Sequence, residues 1–365
     1  MTYPIGAAVT IAELDTDPHP VLARLRAAEP VSWLPVLDGW LVTRHDLALR
    51  VMRDAETFTV DDPRFSTARV VGPSMLSTDG ATHARHREPF VPPFRPAPVR
   101  DRFAGVVASV ASGLVDGFAA AGSVELRGAF AGPLAVAVVA EALGLGEVDA
   151  ATVLSWYTAI VASVSAVTAG GAPTDEGAAA VGSLRDSLDL SGFAGSGLSE
   201  DEAVSNAAVL LFGGIDTTAG MITNLVRHLL LGRHPVSANA IEESLRLEPT
   251  AAVVDRYATR DVSLGGAAVR AGDLVTVSIA GANRDPAVFA DPDRFDPGRE
   301  NARLHLAFAQ GPHFCLGARL ARAEADIGVR ELFARLPDLR LDPDYPHEPR
   351  GLVFRRPPEL HVRWG

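Results

Sequence analysis

The chain contains no lysine; all 33 of its Lys-plus-Arg residues are arginine. That absence removes a Schiff-base lysine for pyridoxal phosphate and a Walker lysine for a nucleoside triphosphate. One cysteine, Cys315, stands among 365 residues, so no intrachain disulfide exists. A reducing cytoplasm fits that usage. Aromatic residues are sparse at 6%. Basic charge is outweighed, with 45 acidic residues and a net charge of −12. A nucleic-acid partner needs a basic face and is not expected. The start, MTYPIGAAVTIAELD, has no basic segment leading into a long apolar run, so neither signal peptide nor anchor is expected. The most apolar later stretches, 131–140 and 207–215, fall short of the roughly 20 residues that span a bilayer.

What the chain does have is a 47% hydrophobic composition, ample for a large core. No Gly/Ser- or Pro-rich linker divides it, and a single domain over 1–365 is the reading. There is no internal repeat. The Arg-, Ala- and Gly-rich composition suggests GC-rich coding.

The pattern predicts a mainly helical protein with small sheets. Helices are read at 18–29 and 46–53, and a hairpin over 33–43 around Asp38-Gly39. Residues 57–78 read as a loop. From Thr82 to about Ala325 the chain reads as mainly helical, with strand exceptions at 263–264 and 269–279 around the turn Ala271-Gly272-Asp273. Residues 285–301, dense in Pro, Asp and Gly, read as an irregular packed connector. Short strands return at 351–364. One helix stands out. Ser199 and Glu202 form a capping box, and the pattern runs to Leu231 before Gly232, a length of roughly 50 Å. Its apolar middle carries Gly213-Gly214 and then Asp216-Thr217-Thr218. Glycines and back-bonding hydroxyls weaken a helix. A buried acid beside a hydroxyl at that weak point suggests function.

The decisive stretch runs from Phe308 to Arg322, FAQGPHFCLGARLAR. A glycine-containing loop delivers Cys315 to a helix start, where N–H groups and the helix dipole favour a thiolate. Gly311 and Gly317 would let a flat group approach the backbone. Phe308 would shield the sulfur, and His313 would reach an anionic edge. An isolated cysteine is more often buried and inert; the surrounding residues decide against that here.

This segment resembles the haem-binding signature of the cytochrome P450 family, Phe-Gly-x-Gly-x-His-x-Cys-x-Gly, with Ala309 in place of the first glycine. Alanine there should crowd the loop slightly. The resemblance extends from about residue 30 to the end. Gly213–Thr218 resembles the family's oxygen-activation motif, which implies proton delivery by Asp216 and Thr217. Glu243-Ser-Leu-Arg246 resembles the family's Glu-x-x-Arg pair, and with Arg299 it implies a structural network behind the cysteine loop. His83, Arg87, Arg256 and His313 match positions that hold the two haem propionates. Two segments are short against the family, Gly232–Ala240 and 190–198.

The resemblance implies a P450 fold, with haem b (heme b, iron protoporphyrin IX) between the long central helix and the cysteine loop, and Cys315 as the iron ligand. It implies a monooxygenase acting on a small, largely apolar organic substrate, with natural-product biosynthesis as its setting. The chain carries no dinucleotide fingerprint or iron–sulfur segment, so a separate ferredoxin and ferredoxin reductase are expected, docking near Arg299, Arg303, Arg319 and Arg322. A monomeric cytoplasmic protein with no membrane contact completes the expectation. Substrate contacts are expected from 69–76, 155–167, 210–217, 251–254 and 352–354. The alternatives are a peroxide-driven haem-thiolate enzyme, which often lacks the acid–alcohol pair, and a non-enzymatic haem sensor.

Overall fold

The computed structural model describes residues 2–365. Its strands in chain order are β1 (Val31–Leu34), β2 (Gly39–Val42), β3 (Phe58–Thr59), β4 (Ser123–Glu125), β5 (Val253–Ala258), β6 (Val262–Leu264), β7 (Ala267–Val269), β8 (Leu274–Ser278), β9 (Arg340–Leu341) and β10 (His361–Arg363). They form a five-stranded sheet, β1-β2-β8-β5-β3, a three-stranded sheet, β4-β10-β9, and a ribbon of β6 with β7. Helices make up most of the remainder, so the expected class, mainly α with small sheets, holds.

The large sheet places one cationic side chain. β5 runs antiparallel to β8, with Arg256 opposite Val275, while β2 runs parallel to β8. β5 replaces the helical reading of that stretch. Its inner edge is paired by β8 and its outer edge by β3, so partners distant in sequence decide its state rather than local pattern. β4 was missed for the same reason. Residues 57–78 are not all loop either: β3 pairs with β5, and Ser66–Val71 is helical. Of the expected strands over 351–364, only β10 is regular. Two isolated bridges, Ala251 with Phe354 and Arg350 with Arg356, hold the rest.

The long helix forms in two pieces, Glu200–Gly214 and Asp216–Gly232, which corrects the single 50 Å rod. Its start is as expected: Ser199 Oγ accepts the Glu202 N–H at 3.2 Å, and the Glu202 carboxylate accepts the Ser199 N–H at 2.9 Å. Ile215 interrupts it with φ −88° and ψ −71°. The Thr217 hydroxyl donates to the Gly213 carbonyl, drawing that group into a side-chain bond at the break. Pro96–Ala121, Ala150–Thr168 and the joined Glu200–Gly232 are long and apolar enough to cross a membrane by length and composition, more than the short apolar runs indicated.

The main core packs Asp216–Gly232 against helices Ala104–Phe118, Gly132–Ala142 and Ala318–Arg335. Phe103, Phe130, Leu134, Ile222 and Leu225 are fully buried there, each worth about 1.5–3 kcal/mol against exposure. The helix that follows Cys315 is thereby fixed against the helix that carries Asp216.

Candidate active site

The Phe308–Gly317 loop is folded by its own backbone. The Cys315 N–H donates to the Phe308 carbonyl at 2.9 Å, closing the loop into a ring. Two residues take left-handed backbone: Ala309 at φ 56° and Gly311 at φ 75°. A side chain on Gly311 would lie 2.5 Å from the Met52 carbonyl. Gly311 is therefore required by the end of the His45–Arg53 helix, a tighter reason than approach to a flat group. Around Gly317 the space is open, the nearest atom being 4.0 Å away on Phe94.

Cys315 precedes the helix Ala318–Arg335, with Gly317 as its N-cap. The residue is exposed, yet dense surrounding protein pushes its thiol up. The Gly317 and Ala318 N–H groups and the charges of Arg87 and Arg322 pull the other way. The Arg322 guanidinium sits over the Phe308 ring, 4.4 Å from its centroid. Glu242 receives Arg322 at 2.7 Å and pairs with His305 at 3.0 Å, so one carboxylate ties the chain before the loop to the helix after it. Its carboxyl is held down at about 2 by His305 and Arg322 against the opposing effect of burial. The adjacent acids Glu242 and Glu243 are the only sequence sign of this clasp, and it was missed.

Three of the four residues matched to the haem propionates, His83, Arg87 and His313, meet at the cysteine loop, and the fourth, Arg256, is near Asp79, which binds His313. The His83 and His313 rings lie 4.4 Å apart. His313 Nε2 bonds Asp79 at 2.8 Å, a partner the sequence reading did not include. Asp79 also takes Thr59 and the Val60 N–H, and these bonds hold its carboxyl well below the usual range against burial. Arg87 donates to the Phe314 carbonyl at 2.6 Å. Arg256 is buried and donates to its neighbour's carbonyl at 2.7 Å. Neither arginine has a carboxylate within 4.0 Å among the described residues. Burial pushes His83 down to about 4, with His313 and Arg87 adding to it, and its Nε2 is buried without a partner. Two cations and an orphaned imidazole nitrogen beside a cysteine fit a dianionic prosthetic group: the thiol suits iron, and the donors suit paired carboxylates.

Asp216 and Thr217 sit at the helix break. The Asp216 carboxylate is clamped by Arg127 at 2.8 Å and Arg356 at 2.9 Å. Burial alone would raise its pKa; the two arginines, Arg356 foremost, bring it below the usual value. The buried Tyr157 hydroxyl lies near this carboxylate without a well-formed bond, and burial with the Asp216 charge raises its pKa. Arg127, Tyr157 and Arg356 carry no local signal in the sequence.

Glu243 is fully buried and binds Arg246 at 2.7 and 2.8 Å and Arg299 at 3.0 and 3.1 Å. The Asp296 N–H adds a fifth bond at 2.9 Å. The structure thus joins the three residues read as a network. It also corrects the docking set: Arg299 is buried and committed to Glu243, and Arg322 to Glu242, which leaves Arg303 and Arg319 exposed.

The five candidate substrate regions also meet. Val70, Leu76, Ile160, Leu211 and Phe212 share one apolar cluster. Phe212 meets Phe354 at 5.8 Å, and Phe354 bridges to Ala251.

A family model described as Cytochrome P450 matches residues 230–337. The cytochrome P450 monooxygenase PikC of Streptomyces venezuelae is 36% identical, over 89% of this chain and 85% of its own length. Mycinamicin IV hydroxylase/epoxidase of Micromonospora griseorubida is 34% identical, over 93% and 94%. Among solved structures, CalO2 superposes with a TM-score of 0.86 at 29% identity, covering 98% of this chain and 99% of that one. P450BioI, in complex with hexadec-9Z-enoic acid ligated acyl carrier protein, gives 0.85 at 28%, covering 95% and 98%.

Proposed function

The chain belongs to the cytochrome P450 family of haem-thiolate monooxygenases, and we propose that Cys315 is its iron ligand and Asp216 with Thr217 its proton-delivery pair. The observation that carries this is that His83 Nε2 and Arg87 stand at the loop of the one cysteine, with the buried Arg256 near Asp79, and that none of the three is paired with a carboxylate.

The prosthetic group is haem b, which when bound supplies the iron that activates dioxygen and places one oxygen atom on the substrate. Cys315 would bind that iron as a thiolate, stabilised by the Gly317 and Ala318 N–H groups. Arg87, Arg256 and His83 would hold the propionates, with His313 kept in place by Asp79. Arg322 lies over the Phe308 ring on the loop that carries Cys315, and with the group bound this pair would screen the sulfur from water. On the other side, Thr217 positions a proton at its hydroxyl. Asp216 passes protons inward when one arginine lets go, because a doubly paired carboxylate holds no proton at neutral pH.

The substrate is a small, largely apolar organic molecule of bacterial secondary metabolism, taken against Phe212, Phe354 and the small residues around them. Relatives named for mycinamicin and for tylactone derivatives support that class. Electrons arrive from a separate ferredoxin and its reductase, at a face that includes Arg303 and Arg319. The enzyme works as a soluble cytoplasmic monomer.

The test is the reduced carbon-monoxide spectrum of wild type and Cys315→Ser. Wild type should give the thiolate band and the variant should lose it; the same band from both would refute the ligand assignment.

A further inference from the structure

A cavity of about 740 Å³ lies away from the cysteine loop, where the start, middle and end of the chain meet. Arg227 and Leu231 of the Asp216–Gly232 helix, Glu248, Arg284, Phe295 and Arg350 are among its walls. Arg227 stands ten residues beyond Thr217, about 15 Å along the helix axis. The cavity belongs to neither the cysteine loop nor the substrate-side cluster, and its size suits a small organic molecule.

Its charges are unevenly satisfied. Glu248 is buried and saturated by Arg355 at 2.6 Å, His19 at 3.2 Å and Arg284 at 3.6 Å. Arg284 also holds Asp293 at 2.9 Å. Arg227 is half-buried, and its Nε–H goes to His347 Nδ1 at 3.2 Å. Its two terminal amino groups have no protein acceptor, and no carboxylate lies within 4.0 Å among the described residues. The exposed Arg350 side chain is likewise unpaired among the described residues. Two exposed acids also line it: Glu348, which faces His347 at 3.7 Å, and Asp17, which accepts the His19 N–H at 3.3 Å. Glu248 and Glu348 act on Arg227 only from beyond ion-pair distance, and a forked guanidinium whose terminal amino groups are free in a cleft matches a planar carboxylate. Beside it the wall is apolar: Phe295 stacks on His228 at 5.0 Å, and Leu231 is 52% exposed. Gly232 and His234, at the short connection to the next helix, complete this part of the wall.

We propose that this cavity is a second ligand site, for a small organic carboxylate with an apolar ring, bound by Arg227 and Arg350 and packed on Phe295 and Leu231. It is separate from the oxidation site, so its ligand acts without touching the haem.

The test uses the haem-loaded enzyme with benzoate, and benzamide as the neutral match, in titration calorimetry. Benzoate should bind about tenfold or more tightly than benzamide and leave the haem absorption unchanged. Arg227→Gln, with its carbon-monoxide spectrum intact, should weaken benzoate about tenfold. Should that variant fail to hold haem, Arg350→Gln serves, with an expected loss of severalfold. No detectable benzoate binding, equal binding of benzamide, or an affinity unchanged in the variant would overturn the proposal.

Discussion

Arg356 Nη2 lies 2.9 Å from Asp216 Oδ2, joining the carboxyl-terminal segment to the break in the central helix. Arg127 takes the other oxygen at 2.8 Å, so both oxygens of this acid are held by arginines.

Arg356→Gln removes the foremost cause of Asp216's low pKa, and the carboxyl should rise. In the wild type the depressed value means the pair stabilises the fold above about pH 4, and that stability is lost as pH falls through the lower folded value. The variant should lose about 1 kcal/mol at neutral pH and unfold in acid at a higher pH. The acid limb of its turnover profile should shift upward too. An acid limb and unfolding midpoint identical to wild type would show that the clamp does not control Asp216.

Thr217→Ala removes the hydroxyl that caps the Gly213 carbonyl at the break. Formation of organic product should fall on the order of 10²-fold, with electrons diverted to hydrogen peroxide. Haem content should stay constant. Peroxide yield per electron consumed is the measurement, and unchanged coupling rules out the proton role.

Glu243→Gln leaves two buried arginines facing a neutral amide. Breaking such a buried network should cost about 3–5 kcal/mol. Denaturant unfolding should show the loss, and haem content after purification should drop. Turnover per bound haem should hold, since Glu243 touches no reacting atom; a selective loss of turnover would place it in the chemistry instead.

Ala309→Gly relieves a left-handed alanine at φ 56°. The gain should be about 1 kcal/mol after the added freedom of the unfolded chain, which for this length moves the melting point by about 1 °C. Calorimetry of the haem-loaded protein checks it. A lower melting point would mean that the Ala309 methyl packs well enough to offset its backbone strain.

What was legible in the sequence was local. The capping box at Ser199 and Glu202, the i,i+3 pair Glu243 and Arg246, and the glycine-flanked Cys315 all lie within a few residues of their partners. The weak point at Gly213–Gly214 was visible as well, although the full break at Ile215 was not. What escaped was long-range. β5 reads like its helical surroundings because β3 and β8 define it from afar. The Asp79–His313 bond spans 234 residues, and a contact at that distance leaves no spacing to read. Arg299 shows the converse case. Its place in a buried network followed from the resemblance, and that burial is what removes it from the docking face on which it had also been expected.

The Asp216 clamp also has a consequence for biogenesis. Arg127 reaches it across 89 residues and Arg356 across 140, and the neighbouring Arg355 bonds the Thr16 carbonyl across 339. Contacts of such sequence separation close late, because the loop entropy must be met before they form. During synthesis, Cys315 leaves the ribosome before the clamp can exist. The nascent protein therefore passes through a stage in which the Cys315 segment has been made while Asp216 still lacks its Arg356 partner.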